Sequence, residues 1–525
     1  MMIRRLVGRL VWRRQGSAAA AIILTLFAFL AKALSLLQQA LMARLFGVSA
    51  QSDAYFIAQA VPMLIGGLLV ASVSAPLTRD FVASTDTDRV SGMLLLVGVG
   101  SAVLAMLLAL ASIPIVSLQA QGLGVGTLRA AVSLSRLMSL MPVLYGLSGV
   151  LQAYCYAQST FIVPAVSGIF PYIGGILGMI FLRTVAGIGG LVIGSVLGLA
   201  VQTLITAVPF LSRRPAAQGA LCNAWRAART YASGFAGSVV LVFMALAVSQ
   251  LYFITDRSIA SALGPGLVAA FGYATGILSL PQQLIVASAS SAVLPSVSRL
   301  AANGQRAELR ARVTSLIWMI AFLLTPAALL LLFGSVPVVR VLLQGRAFDE
   351  ASTALTAAIL RSYSLGLVGF ALKDIATSIL LATHQERWPA IVGLAGVVAN
   401  IAVSWLLVRT AGYLGIAYAT TAIFLLNAAI LLAIVARTFG IPWRESLRHS
   451  GAKVAVSALG MSAAYWLTRQ VHIPLAGLGR TLADFLCLGL AAAAYLAICK
   501  LLGLPELEAL QARYRGWLGT RPDAT

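Results

Sequence analysis

Charge is scarce in this sequence. Asp, Glu, Lys and Arg make up only 10% of its 525 residues, and mean hydropathy is +0.95, whereas a soluble protein carries about 25% charged residues. No water-soluble fold can bury so much apolar surface, so the scarcity excludes a soluble enzyme or binding domain and leaves a polytopic membrane protein. Paired cysteines are missing too. Cys155, Cys222, Cys487 and Cys499 are scattered without a CxxC spacing, which argues against a disulfide framework or a zinc ribbon. His384, His449 and His472 fall in separate loops, so no His/Cys/carboxylate cluster offers a metal site. Long polar stretches are also absent. Nothing between the apolar segments is large enough for a soluble catalytic domain, so function must reside among the helices.

The charge that is present is lopsided, with 37 Lys and Arg against 15 Asp and Glu, a net of +22. Nucleic-acid binding would require a basic stripe interleaved with aromatics on a soluble domain, and none is seen. The excess instead follows the tendency of Lys and Arg to collect in cytoplasmic loops. Arg4, Arg5, Arg9, Arg13 and Arg14 precede the first apolar run, and further clusters recur in alternate loops at Arg213–Arg214, Arg306–Arg312 and Arg437–Arg448. This bias predicts a multi-pass protein with both termini cytoplasmic. The opening "MMIRRLVGRLVWRRQGSAAAAIILTLFAFL" begins like a signal peptide, but its apolar run is too long and lacks a small-residue cleavage site, so it reads as a retained first span.

A spanning helix needs about 20 predominantly apolar residues. Candidates fall near 18–43, 54–78, 92–117, 135–157, 160–182, 187–211, 232–255, 268–296, 314–335, 353–382, 388–408, 413–436, 452–468 and 481–502. The predicted fold class is therefore an all-α polytopic membrane protein of about 14 transmembrane helices. A shift of 216 residues lays "AYFIAQAVPMLIGGLLVASVSA" (54–75) on "AFGYATGILSLPQQLIVASASS" (270–291), matching Ala54 with Ala270, Leu64 with Leu280 and the whole of "VAS". It pairs span 2 with span 8, and so predicts two six-helix halves of the same topology, as in transporters that rock about a central site. The expected organisation is a basic N-terminus (1–17), an N-terminal half (18–211), a basic linker (212–231), a C-terminal half (232–436), helices 13 and 14 (437–502) and an amphipathic cytoplasmic tail (503–525).

Ionisable groups at membrane depth are functional candidates. Lys32 lies inside an apolar run from Ala18 to Leu37, at a cost of about 2.5–3.5 kcal/mol on insertion scales. Lys373 and Asp374 lie in the middle of span 10. Adjacent helix residues do not face each other, so each is expected to find its own partner, for example Lys32 for Asp374. Asp256 and Arg257 end span 7 as a salt bridge or helix-end anchor. Gln38, Gln39, Gln59, Gln282 and Gln283 can bond sugar hydroxyls or tie helices together, the latter for about 0.6 kcal/mol per bond.

Several strings together resemble one family. "ARLFGVSAQSDAYFIAQAVP" (43–62), "DRSIASALGPGLVAAFGYA" (256–274), "ASSAVLPSVSRLAANG" (289–304), "LLQGRAFDEASTALTAAILRSYSLGLVGF" (342–370) and "THQERWPAIVGLAGVVANIAVSWLLV" (383–408) resemble the MurJ-like lipid II flippases of the MOP exporter superfamily. The resemblance implies fourteen helices in two halves plus two. It also implies a cationic central cavity and alternating-access transport of an undecaprenyl-diphosphate-linked saccharide to the outer leaflet of the bacterial inner membrane, coupled to a monovalent cation, a proton or the membrane potential. No other cofactor, no metal and no nucleic acid is implied. The partners are the lipid-linked glycan, the bilayer and envelope-glycan synthesis proteins, with the chain itself a monomer.

Of the arginines that the family places in its cavity, the first falls on Lys32, the second on Gln38, that of span 2 on Ala60 and that of span 8 on Gly276, while the aspartate after the second falls on Gln39. The outer-loop aspartate is kept as Asp53. The resemblance therefore gives Lys32, Gln38, Gln39, Gln59, Ala60 and Gly276 as substrate-facing positions, and Asp53, Lys373, Asp374, Asp256 and Arg257 as coupling or gating positions. Three lost cations leave open a flippase for another exopolysaccharide or O-antigen unit, and, further off, a multidrug or cation antiporter of the same superfamily.

Overall fold

The computed structural model describes residues 17–83, 87–212, 225–226, 228–229, 251–383, 385–470 and 478–508. Most of the predicted seventh span, the basic N-terminus, most of the 212–231 linker and the tail beyond residue 508 lie outside them. The described chain is helical, with no β-strand among the described residues. Ten helices are long and apolar enough to cross a membrane, and a bent pair raises this to eleven. Their outward side chains are apolar, as with Phe181, Val185, Leu406 and Leu490. A helix closes its backbone hydrogen bonds internally and so tolerates lipid, where an open sheet would not.

The first of two compact units comprises Met1–Tyr273 and Gly345–Asp349. Its helices are α1 (Ser17–Phe46), α2 (Ala50–Ala83), α3 (Thr87–Leu110), α4 (Ser112–Gln119), α5 (Val125–Met138), α6 (Met141–Ala157), α7 (Ile162–Ser167), α8 (Phe170–Ala186), α9 (Gly189–Leu211) and α10 (251–263). Its core is built where α2, α3, α6 and α9 meet through Leu77, Phe81, Met93, Tyr154 and Phe210. The tightest pairing, α8 with α9, is made by glycines. A Cβ on Gly174 would collide with the carbonyl of Gly194, and one on Gly178 with that of Gly190. Small residues every four positions let backbones touch, which is how helices associate where lipid removes the hydrophobic drive.

The second unit comprises Ala274–Gln344 and Glu350–Thr525. It holds most of α11 (Leu267–Ala302), then α12 (Arg306–Phe333), α13 (Ser335–Leu343), α14 (Glu350–Ser364), α15 (Leu367–Ala382), α16 (Arg387–Ala411), α17 (Leu414–Phe439), α18 (Trp443–Ser446), a π turn (Leu447–Gly451), α19 (Ala452–Gln470) and α20 (Leu478–Leu501). Helices α19 and α20, the predicted helices 13 and 14, pack on α12 through Phe322, Met461, Ala491 and Tyr495. The Tyr495 hydroxyl donates to the Phe322 carbonyl at 2.9 Å, which gives a buried polar group its partner.

The repeat extends beyond the segment in which the sequence showed it. Helices α5 and α6 fill Val125–Ala157, and α14 and α15 fill Glu350–Ala382; each run breaks for two residues after its first fourteen or fifteen. The two helices of the second run bend by 49°. Gly187 after α8 and Gly412 after α16, 225 residues apart, share one left-handed conformation with φ of 54° and 58°. At the bend, the Thr421 hydroxyl of α17 donates to the Ser362 carbonyl at 3.2 Å, so a carbonyl freed by the break is satisfied.

Candidate functional site

In the first unit, α1 carries Lys32, Gln38 and Gln39, all half-buried. Lys32 and Gln39 are seven residues apart and share one face of the helix. Gln38 points elsewhere. Its Nε2 lies against Gly175, where a Cβ would displace it, and donates to Ser195 Oγ of α9 at 3.2 Å. Gln38 thus ties α1 to α9. It borders a void of about 30 Å³ whose walls include Tyr55, Tyr145 and Tyr172, too small for a saccharide. Tyr172 also bonds Ser35 on α1. The sequence reading missed this tyrosine cluster, although three tyrosines within apolar spans, each with a hydroxyl to satisfy, were its available signal. Gln59 is half-buried on the same α2 face as Tyr55 and Met63, four residues to either side, and Ala60 is buried.

Asp53 corrects an expectation. It is not in an outer loop but in the first turn of α2, fully buried. Ser49 precedes that turn, and its Oγ accepts the Ser52 N–H at 3.4 Å, which caps α2 and leaves the Asp53 carboxylate for other work. Its Oδ2 accepts the Gly266 N–H and its Oδ1 accepts the Ala269 N–H at 2.7 Å. These are the first amides of α11, where a helix presents unpaired donors and the positive end of its dipole. The surroundings fit the same junction. Gly266 has φ of +85° and Gly272 lies where any Cβ would strike the Phe56 ring. Tyr273 donates to the Gly47 carbonyl at 3.2 Å and meets Phe56 edge-on at 5.2 Å. Arg257 Nη1 donates to the Phe56 carbonyl at 3.2 Å, so it anchors α10 to α2, and its neighbour Asp256 is buried. The segment 345–349 closes the junction, with the Ala347 N–H donating to the Arg44 carbonyl at 3.2 Å.

In the second unit, Lys373 and Asp374 were expected to find separate partners, and they pair instead, Nζ to Oδ1 at 3.0 Å. The four-carbon lysine stem curls back along α15 far enough to reach the next residue. Asp374 Oδ2 is held by Gln282 Nε2 of α11 at 2.8 Å. The Lys373 ammonium also stands 4.9 Å from the centre of the Phe424 ring, a cation–π contact that offsets its burial. Asp374 is therefore engaged by groups of its own unit, and Gln282, offered above as a sugar ligand, belongs to this cluster. Gly276 is half-buried on α11. Among the described residues, no group of three His, Cys, Asp or Glu side chains is placed to hold a metal.

Comparison with known proteins places this arrangement. The profile of the family described as "Lipid II flippase MurJ" matches residues 42–479. A protein of Synechocystis sp. named probable lipid II flippase MurJ is 26% identical over 470 residues, covering 85% of this chain and 86% of its own. Among solved structures, a lipid II flippase MurJ in an inward closed conformation superposes with a TM-score of 0.76 at 21% identity, covering 91% of this chain and 98% of that one. An inward-facing multidrug resistance MATE family transporter of the MOP superfamily gives 0.63 at 13% identity, covering 80% and 98%. Both structural likenesses speak to the fold. The family profile, running from the end of α1 to the start of α20, settles membership: this chain belongs to the lipid II flippase MurJ family.

Proposed function

We propose that the protein transports a polyprenyl-diphosphate-linked saccharide, lipid II or a related cell-envelope precursor, from the cytoplasmic to the outer leaflet of the bacterial inner membrane. The observation that carries this reading is the family match along residues 42–479. It covers both six-helix halves assigned above, 18–211 and 232–436. The protein acts as a transporter and not an enzyme, by alternating access. We take it to be a monomer of fourteen spans with both termini cytoplasmic.

Lys32, sharing its helix face with Gln39, is the group we assign to the diphosphate. Gln59, Ala60 and Gly276 line the path of the saccharide. Gln282, Asp374 and Lys373 form the coupling cluster, since a carboxylate shared between an ammonium and an amide is suited to exchange a proton or a monovalent cation. Asp53, Asp256 and Arg257 gate the end of the path where α2 meets α11.

One observation favours a second reading of the substrate. A diphosphate gains from several charge-assisted, bidentate contacts, which Arg supplies better than Lys. Here Gln38, Ala60 and Gly276 stand at three arginine positions. The weaker clamp suits an envelope glycan other than lipid II. Depleting the protein and measuring which undecaprenyl-linked intermediate accumulates inside the cell tests both readings. Accumulation of lipid II supports the first, accumulation of another lipid-linked glycan the second, and no accumulation of any such intermediate rules out both.

A further inference from the structure

At one end of the second unit, a cavity of about 470 Å³ opens between the start of α12, the α18 and π turns, and the residues that follow α20. Its walls include Arg310, Trp318, Glu445, His449, Ser450 and Glu506. The volume lies within the range of about 300–1,000 Å³ usual for small-molecule sites. Nothing in the transport reading uses it.

Glu506 is the informative residue. It is only 6% exposed. Its Oε1 accepts from the Ser450 hydroxyl at 3.1 Å, while its Oε2 is buried without a hydrogen-bond partner. Leaving such an acceptor unanswered costs about 1–3 kcal/mol, and more when it is charged, so a bare carboxylate oxygen in a cavity wall asks for a donor. The surrounding chain is arranged to hold it there. Lys453 Nζ donates to the Gly503 carbonyl at 3.0 Å, fixing the turn that leads to Glu506. Trp318 Nε1 donates to Ser446 Oγ, fixing α18. The turn between them, Leu447–Gly451, is π-helical, a local widening that recurs at functional sites.

The rim adds opposite charge. Glu445, His449 and Arg310 are exposed there, with the Arg310 guanidinium steadied by its Nε bond to the Phe439 carbonyl at 3.3 Å. Two carboxylates and a guanidinium around one cavity match a ligand that carries both a cation and a phosphate. The cavity lies where apolar α12 begins and apolar α20 has ended, which is the headgroup depth of a bilayer. A quaternary ammonium has no N–H to give Oε2, and a purely anionic headgroup would meet the carboxylates unfavourably.

We propose that this cavity binds the phosphoethanolamine headgroup of a membrane phospholipid, with Glu506 and Glu445 on the primary ammonium and Arg310 and His449 on the phosphate.

The test uses the full-length protein in detergent, titrated with short-chain phosphatidylethanolamine, phosphatidylcholine, phosphatidylglycerol and free phosphoethanolamine, and read by native mass spectrometry. Phosphatidylethanolamine should be retained about tenfold better than the other two lipids, as expected for a charge-assisted contact that only it can make. Glu506→Gln should abolish that preference, whereas Ser450→Ala, which keeps the carboxylate, should preserve it. Equal retention of phosphatidylethanolamine and phosphatidylcholine by the unaltered protein overturns the proposal, as does a preference that survives in Glu506→Gln. Free phosphoethanolamine binding as tightly as the lipid overturns the membrane source. Should Glu506→Gln fail to fold, the exposed rim variant Glu445→Gln decides: a loss of about threefold in preference is expected, and none overturns the role given to the rim carboxylate.

Discussion

Asp53 Oδ1 accepts the backbone N–H of Ala269 at 2.7 Å, and Ala269 is the residue that a shift of 216 positions lays on Asp53 itself. The first turns of two repeat-equivalent helices, α2 and α11, are thus joined at equivalent positions. Only one of the two carries a carboxylate, so the repeat is broken where a side chain is needed to satisfy the other helix's amides.

Replacing that carboxylate should therefore act through α11. Asp53→Ala leaves two buried N–H groups without an acceptor, each costing about 1–3 kcal/mol, and should lower the melting temperature of the purified protein sharply. Asp53→Asn keeps an acceptor oxygen but loses the charge at the helix end, worth about 0.3–1 kcal/mol, so its fall should be clearly smaller. Equal melting temperatures for the two variants would show that the carboxylate does not cap α11.

The Lys373–Asp374 pair gives a second measurement. Breaking one partner leaves the other at membrane depth, where Lys373 is 7% and Asp374 37% exposed in their side chains. Lys373→Met and Asp374→Asn should each destabilise by about 1–3 kcal/mol, and the double variant by less than the sum, because removing both partners avoids a stranded charge. If the cluster couples transport, Asp374→Asn should also abolish the pH or cation dependence of flux in proteoliposomes while binding of substrate persists. Strictly additive losses in stability would show that the two do not interact.

Much of this was legible beforehand, for definite reasons. Apolar runs about 20 residues long can only be helices in lipid, so the helical class and most spans followed from hydropathy alone. The repeat showed only in "VAS" and its neighbours because lipid-facing positions accept any apolar residue; its better markers, Gly187 and Gly412, are set by backbone geometry that composition does not report. Asp53 was misplaced because a polar residue beside Gly47 and Ser49 reads as a loop until its partner 213 residues away is known. Lys373 and Asp374 were separated by a rule about helix faces that a long, flexible side chain evades. Glu506 stood in what looked like an amphipathic tail, and only the folded chain shows its bare oxygen.

The glycine seam of α8 and α9 should be far less tolerant than glycines elsewhere. A Cβ at Gly194 meets the Gly174 carbonyl, whereas one at Gly67 has nothing within 4 Å. Gly194→Ala should reduce folded yield and melting temperature, the helices being forced apart. Gly67→Ala should be neutral or stabilising by up to about 1 kcal/mol, the helix propensity it gains. Equal behaviour in the two would mean that the backbones of α8 and α9 have room to spare.

Lys32 is the sharpest test of substrate handling. If it contacts the diphosphate, Lys32→Ala should stop export in the depletion assay at unchanged protein level, and Lys32→Arg should retain it, because charge and reach are kept. Lys32→Met separates this from packing: it preserves the apolar stem and removes only the ammonium. Export by Lys32→Met equal to that of the unaltered protein would remove the lysine from the mechanism. Placing arginine at the half-buried Gly276 asks the converse question. A second cation should strengthen the hold on a diphosphate whatever sugar it carries, so Gly276→Arg should partly restore export to Lys32→Ala. A failure to rescue, with the variant folded, would mean that the two positions do not meet the same phosphate.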